Sequence, residues 1–209
     1  MITASCRRPS ASNDSRITPG SSPQRWASDS LDEITASPQR PASCTPADIA
    51  HLRAQLLPRL AAPRPSEAQR QQAGWVRECH GDLHLGNLVE WQGRVLAFDA
   101  LEFDPALRHI DVVADLAFPF MDLLAHGLPG LAWRLVNRHV EQTGDFEGLC
   151  LLPALAAYRA LVRAKVALLS PDGAAGFQRY WPLAQRLLQH TRPQLVLVCG
   201  LSGSGKSTL

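Results

Sequence analysis

Lysine is almost missing from this sequence. Lys165 and Lys206 are the only two, and the other cationic side chains are arginines. Chemistry that needs a lysine ammonium therefore has no candidate before residue 165. Glycine is scarce at the start as well, with only Gly20 and Gly74 before His80, so no G-x-G-x-x-G loop precedes that point. The five cysteines are odd in number and far apart, without a C-x-x-C pair. That fits a reducing, cytoplasmic compartment better than a disulfide framework or a zinc ribbon. No run of eighteen apolar residues occurs, which leaves no candidate membrane span. The N-terminus lacks the apolar core of a secretory signal, and Asp14, Asp29, Asp32 and Glu33 argue against a transit peptide. Charge is balanced, with 21 Lys plus Arg against 19 Asp plus Glu. A nucleic-acid binder would carry a concentrated basic face instead. Phosphate ligands, which need only local charge, stay open.

Composition divides the chain in three. Residues 1–44 are rich in Ser, Pro and Arg with few large apolar side chains. They read as a disordered extension that buries too little to offset its ordering entropy. Residues 45–192 read as one mainly helical domain with a single small β-hairpin. Helical period begins at Pro46, and Ser66–Gln72 reads as a further polar helix. Residues 88–91 and 95–99 flank a glycine-containing turn and form the hairpin. Asp104–Pro105 is a helix start whose pattern runs toward Leu124. Three more helices are expected near 129–142, 150–169 and 174–191. Residues 193–209 begin with an apolar run, Gln194–Cys199, that suits a buried strand.

The densest polar cluster is HGDLHLGN, residues 80–87, followed by the hairpin and Asp99. Phosphoryl transfer needs a carboxylate to accept the proton of the acceptor hydroxyl, and oxygen ligands for the magnesium on the nucleotide phosphates. Asp82 can be that base. Asn87, five residues on, can supply a neutral amide oxygen, and Asp99 a charged one. Protein kinases space the same roles in H-R-D-L-x-x-x-N and D-F-G. Other readings stand beside this one. His80, Asp82 and His84 alternate and on a strand could bind a transition metal. The cluster could be a structural loop with satisfied histidines. It could also belong to a degenerate fold that binds without turnover.

HGDLHLGN followed by AFDALEF resembles the signature of aminoglycoside phosphotransferases and related small-molecule kinases. The resemblance implies the C-lobe of a protein-kinase-like fold and ATP-dependent phosphorylation of a hydroxyl on a small molecule. It implies Asp82 as catalytic base, Asn87 and Asp99 as Mg2+ ligands, and His80 as a brace for the loop. Arg108–Ala117 resembles the family's D-x-x-x-D-L-A helix, whose aspartates (Asp111 and Asp115 here) help hold the loop. Asp111, Asp115 and Asp122 also share one helical stripe, plainly read as a solvated face.

Gly200, Gly203, Gly205, Lys206 and Ser207 complete a G-x-x-x-x-G-K-[ST] phosphate-binding loop, with Thr208 beside it. The pairing of both motifs resembles bacterial two-part proteins in which a phosphotransferase-like domain precedes a P-loop domain. The kinase N-lobe, with its glycine-rich loop and lysine, is missing, and so is a Walker B acid. The expectation is a piece of a larger protein that is impaired alone. A non-catalytic remnant or binding module is the alternative.

Overall fold

Ser22 and Pro23 start a helix that the average composition of residues 1–44 conceals. The computed structural model describes residues 22–102, 104–170 and 173–189. The first helix, α1, covers Pro23–Ala36, with the Ser22 side chain accepting the Arg25 N–H and Pro23 in the first turn. Ala27, Ser30, Leu31 and Ile34 recur at helical spacing and are buried. This corrects the disordered extension for residues 22–44; residues 1–21 lie outside the described part. Full burial of Leu31 and Ile34 contributes about 1.5–3 kcal/mol each. Composition averaged over 44 residues hides that one amphipathic stretch.

Helix α2, Pro46–Ala61, is opened by a Thr45–Asp48 capping box, and α3, Glu67–Gln72, by a Ser66–Gln69 box. Strand β1, Val76–Glu78, leads into the 80–87 loop. Strands β2, Leu88–Trp91, and β3, Arg94–Ala97, form the expected antiparallel hairpin, with Val89 opposite Leu96. Gln92 and Gly93 both have positive φ, 52° and 71°. That is the two-residue turn whose twist matches paired strands.

The helix expected from Asp104 to Leu124 is divided in two. One turn, α4, covers Pro105–Arg108, and then β4, His109–Asp111, pairs antiparallel with β1. Asp111 caps a new helix, α5, Val112–Ala125, by accepting the Val113 N–H at 2.8 Å. A second two-stranded sheet therefore joins the expected hairpin. Strand pairing with a segment 31 or more positions away overrides the helical pattern of 104–111.

Helices α6, Pro129–Thr143, α7, Leu152–Ala167, and α8, Gly173–Leu187, complete the described chain. Helix α7 is the hub, packing on α5, α8, α1 and α2. Its Ala156, Ala157, Ala160 and Ala164 are wholly buried, so neighbouring helices come close. Helix α1 shares this core, which extends the compact unit N-terminally from residue 45. No helix among the described residues is long and apolar enough to cross a membrane. The strand expected at Gln194–Cys199 lies outside the described residues.

A buried ion network ties α3 to α5. Arg70 grips Asp111 with Nε at 2.6 Å and Nη2 at 2.9 Å. It also holds Asp145, with Nη2 at 2.7 Å from Oδ2 and Nη1 on Oδ1. Burial opposes the guanidinium charge, but the two carboxylates prevail and hold its pKa above the ordinary value. This fixes the sequence just before β1, and so the entry to the 80–87 loop.

Candidate functional site

The 80–87 loop can take its path because Gly81 has no side chain. Its φ is +84°, and a Cβ there would meet the Leu107 carbonyl at 2.9 Å. Having little secondary structure of its own, the loop must find hydrogen-bond acceptors elsewhere. Two buried aspartates of α5 supply them. Asp115 accepts the His80 N–H at 3.1 Å and the Gly81 N–H at 2.9 Å. Asp122 accepts the Leu85 N–H at 2.9 Å on Oδ2 and the Tyr180 hydroxyl at 2.7 Å on Oδ1. Asp115 is 4% exposed and Asp122 2%. The solvated-face reading of this stripe is thus overturned for both: spacing registers the shared face but not what covers it.

His80 braces the loop from inside. Its Nδ1 accepts the Asp82 N–H at 3.4 Å, so Nε2 carries the proton and donates to the Phe98 carbonyl at 2.8 Å. The His80 carbonyl in turn accepts the Leu101 N–H at 3.1 Å. Both sides of Asp99 are therefore pinned to His80. The hairpin ladder also runs on to the loop, through Phe98 N–H donating to the Asn87 carbonyl at 3.0 Å.

Asp82 and Asn87 are brought together. Asn87 Nδ2 donates to the Asp82 carbonyl at 2.9 Å and to its carboxylate at 3.3 Å. With Nδ2 so committed, the amide oxygen is what Asn87 can offer a cation. The Asp82 carboxylate keeps partial exposure, with His84 Nε2 3.6 Å away. Asp99 is exposed and has φ +60°, a region uncommon outside glycine. Its backbone lies beside the loop, and its carboxylate makes no hydrogen bond among the described residues.

The transition-metal reading of His80, Asp82 and His84 does not survive. Both ring nitrogens of His80 are used, and His84 Nδ1 accepts the Gly86 N–H at 3.0 Å. No group of three His, Cys, Asp or Glu among the described residues could hold a metal. Asp82 and Asn87 are oxygen-bearing side chains held together; for Asp99 the structure shows only the neighbouring backbone bonds of Phe98 and Leu101 to the loop. Residues Gly200, Gly203, Gly205, Lys206, Ser207 and Thr208 lie outside the described residues.

Tyr180 escapes a reading by motif, and its partner Arg163 stands in a stretch, 159–166, that resembles the family's late helix and reads from sequence only as packing with a basic face. Tyr180 donates to Asp122 and stays protonated, because burial and that carboxylate both raise its pKa. Arg163 lies over the Tyr180 ring, 5.6 Å from its centroid. Helix α8 is thereby tied to the loop through Asp122, a link between positions 58 apart that no local pattern signals.

Burial, and then Arg163, pushes the His84 pKa below its ordinary value. Burial does the same to His139, despite Asp145 at 3.9 Å. The unfolded chain protonates these rings as pH falls through about 6.5; the folded chain follows only at lower pH. Their contribution is steady above that pH, and stability declines as pH falls below it. Urea midpoints should drop between pH 7.5 and 5.5, and His84→Gln with His139→Gln should flatten the drop. An unchanged slope in the double variant would show that other groups titrate there.

Comparison with known proteins finds three relatives, one from Mycobacterium bovis and two from strains of Mycobacterium tuberculosis, each described only as an uncharacterized protein. Each is 35% identical to this chain over 147 residues. The alignment covers 68% of this chain and only 30% of the length of each relative. No protein-family profile matches the chain, and no solved structure matches it.

Proposed function

We propose that the 80–87 loop and Asp99 form the hydroxyl-activating half of a phosphoryl-transfer site, on the C-lobe of a kinase-like fold. The substrate class is a small molecule bearing a hydroxyl, with ATP as donor. The observation that carries this reading is the Asp82–Asn87 pair, joined at 3.3 Å on a loop whose backbone is held by Asp115 and Asp122. A general base must be positioned before it can act, and here the position is imposed from α5.

Asp82 accepts the proton of the acceptor hydroxyl. His80 keeps Phe98 and Leu101 in place and so sets Asp99. Asn87 and Asp99 would hold Mg2+, which neutralises charge on the nucleotide phosphates when bound. The positive φ of Asp99 is a local cost of the kind concentrated at working sites. The phosphate loop around Lys206 is a separate nucleotide-binding element of the whole protein.

A second reading, a binding module without turnover, has its own support. The lysine among the described residues is Lys165, which pairs with Glu33 at 3.3 Å on the α1–α7 face. It is not part of the Asp82 cluster, so no lysine among the described residues clamps phosphates there. The two readings share the cation site and differ in transfer.

Manganese(II) is a paramagnetic substitute for magnesium that reports even weak sites. Titrated into the 209-residue chain, it should first broaden the amide signals of residues 82, 87 and 99. Asn87→Ala with Asp99→Ala should remove that selectivity. Broadening spread evenly over surface carboxylates would end the magnesium assignment.

A further inference from the structure

A cavity of about 1010 Å³ opens between α1, the α2–α3 connection, the β1–β4 pair and the first turns of α7. No residue of the 80–87 loop lines it. Its volume is at the upper end of small-molecule sites, roughly 300–1,000 Å³. Trp26, Leu60, Ile110, Leu155 and Leu188 give it an apolar body.

Two polar groups stand out against that wall. Tyr158 lines the cavity and is 7% exposed, yet its hydroxyl has no hydrogen-bond partner among the described residues. Burial raises its pKa, so it remains a donor at neutral pH. Beside it, the Arg159 guanidinium lies 5.5 Å from the Tyr158 ring centroid and 4.6 Å from that of Phe118. Arg159 Nε reaches the Ala114 carbonyl at 3.3 Å, and no carboxylate pairs with Arg159 among the described residues. Of the other charged residues on the wall, Arg70 is met by Asp111 and Arg108 by Glu78 at 3.1 Å, while Arg59, Arg64, Glu67 and Asp104 line its other parts. A buried hydroxyl without a hydrogen-bond partner and a guanidinium without a carboxylate, from neighbouring residues on one cavity wall, suit an anionic oxygen.

We propose that this cavity binds an organic anion, a carboxylate or phosphate carried on an acyl or aromatic body. The head group is held by Arg159 and the Tyr158 hydroxyl, and the body lies against Trp26, Leu60 and Leu155. This site is independent of the phosphoryl-transfer reading, since it shares no residue with the loop.

The test titrates the 209-residue chain calorimetrically with octanoate, octyl phosphate, octanol and octyltrimethylammonium. At least one of the two anions should bind, and the tighter of them identifies the head group. Octanol and the ammonium should bind about tenfold more weakly or not at all. Tyr158→Phe keeps the ring and its packing and should weaken the anion severalfold, with thermal unfolding unchanged. Arg159→Gln should weaken it further. Amide shifts at Leu155, Tyr158 and Arg159 should accompany binding. The proposal is overturned if no anion binds, if octanol binds as tightly, if Tyr158→Phe leaves the anion unaffected, or if the shifts centre on Asp82.

Discussion

Asp82→Asn should cut phosphoryl transfer by on the order of a hundredfold or more, while leaving the unfolding temperature within a few degrees of the parent. The expectation applies to a chain extended to the full length of the mycobacterial relatives, at the residue aligned with Asp82. Asparagine keeps the shape, and its amide oxygen can still accept the Asn87 Nδ2–H, now 3.3 Å from the carboxylate. What it loses is the capacity to take a proton. The loop itself rests on Asp115 and Asp122 and not on Asp82. Transfer of the ATP γ-phosphate to a panel of hydroxyl compounds is the measurement. Undiminished transfer in the variant would remove Asp82 from the role of base. In the 209-residue chain itself, transfer should be near background, because the Asp82 cluster includes no lysine among the described residues to clamp phosphates and positioning carries most of this chemistry. Robust turnover by that chain would overturn this second expectation.

Arg70→Met should destabilise the fold by about 3–5 kcal/mol, the usual cost of removing one partner from a buried pair. Two carboxylates would be left behind. Asp145 has a side chain only 1% exposed and Asp111 one 14% exposed. Asp145 cannot be hydrated without opening the packing around it, whereas Asp111 also lines the large cavity and is the more accessible of the two. A second change, Asp145→Asn, removes one stranded charge and should restore part of the loss, although Asp111 stays without its guanidinium. Urea unfolding of the parent, the single variant and the double variant measures this. A loss below about 1 kcal/mol for Arg70→Met would mean that water reaches the carboxylates and that the network is a surface one in effect. Because Arg70 precedes β1 by six positions, the same variant should also speed hydrogen exchange at Cys79 and His80.

Local chemistry was legible in the sequence wherever the residues that cooperate are neighbours in the chain. Thr45 with Asp48 and Ser66 with Gln69 cap their helices across three residues, and Gln92–Gly93 turns a hairpin between adjacent strands. Asp82 and Asn87 meet across five residues, within reach of spacing alone. Helix α1 was equally local, since Ser22, Pro23 and the apolar stripe through Ile34 are all there, but the surrounding Ser- and Pro-rich composition masked it. What only the tertiary structure decided is set by contacts over long separations. The break at His109–Asp111 exists because β1 offers a hydrogen-bonding edge. Asp115 and Asp122 became buried acceptors rather than a wet face because the 80–87 loop, 34 to 37 positions away, delivers unpaired N–H groups to them. Arg70 found its carboxylates 41 and 75 positions on. A helical stripe of aspartates has the same sequence whether it faces water or backbone amides. Only the packing that excludes water tells the two apart, because a buried charge must be answered by a donor and an exposed one need not be.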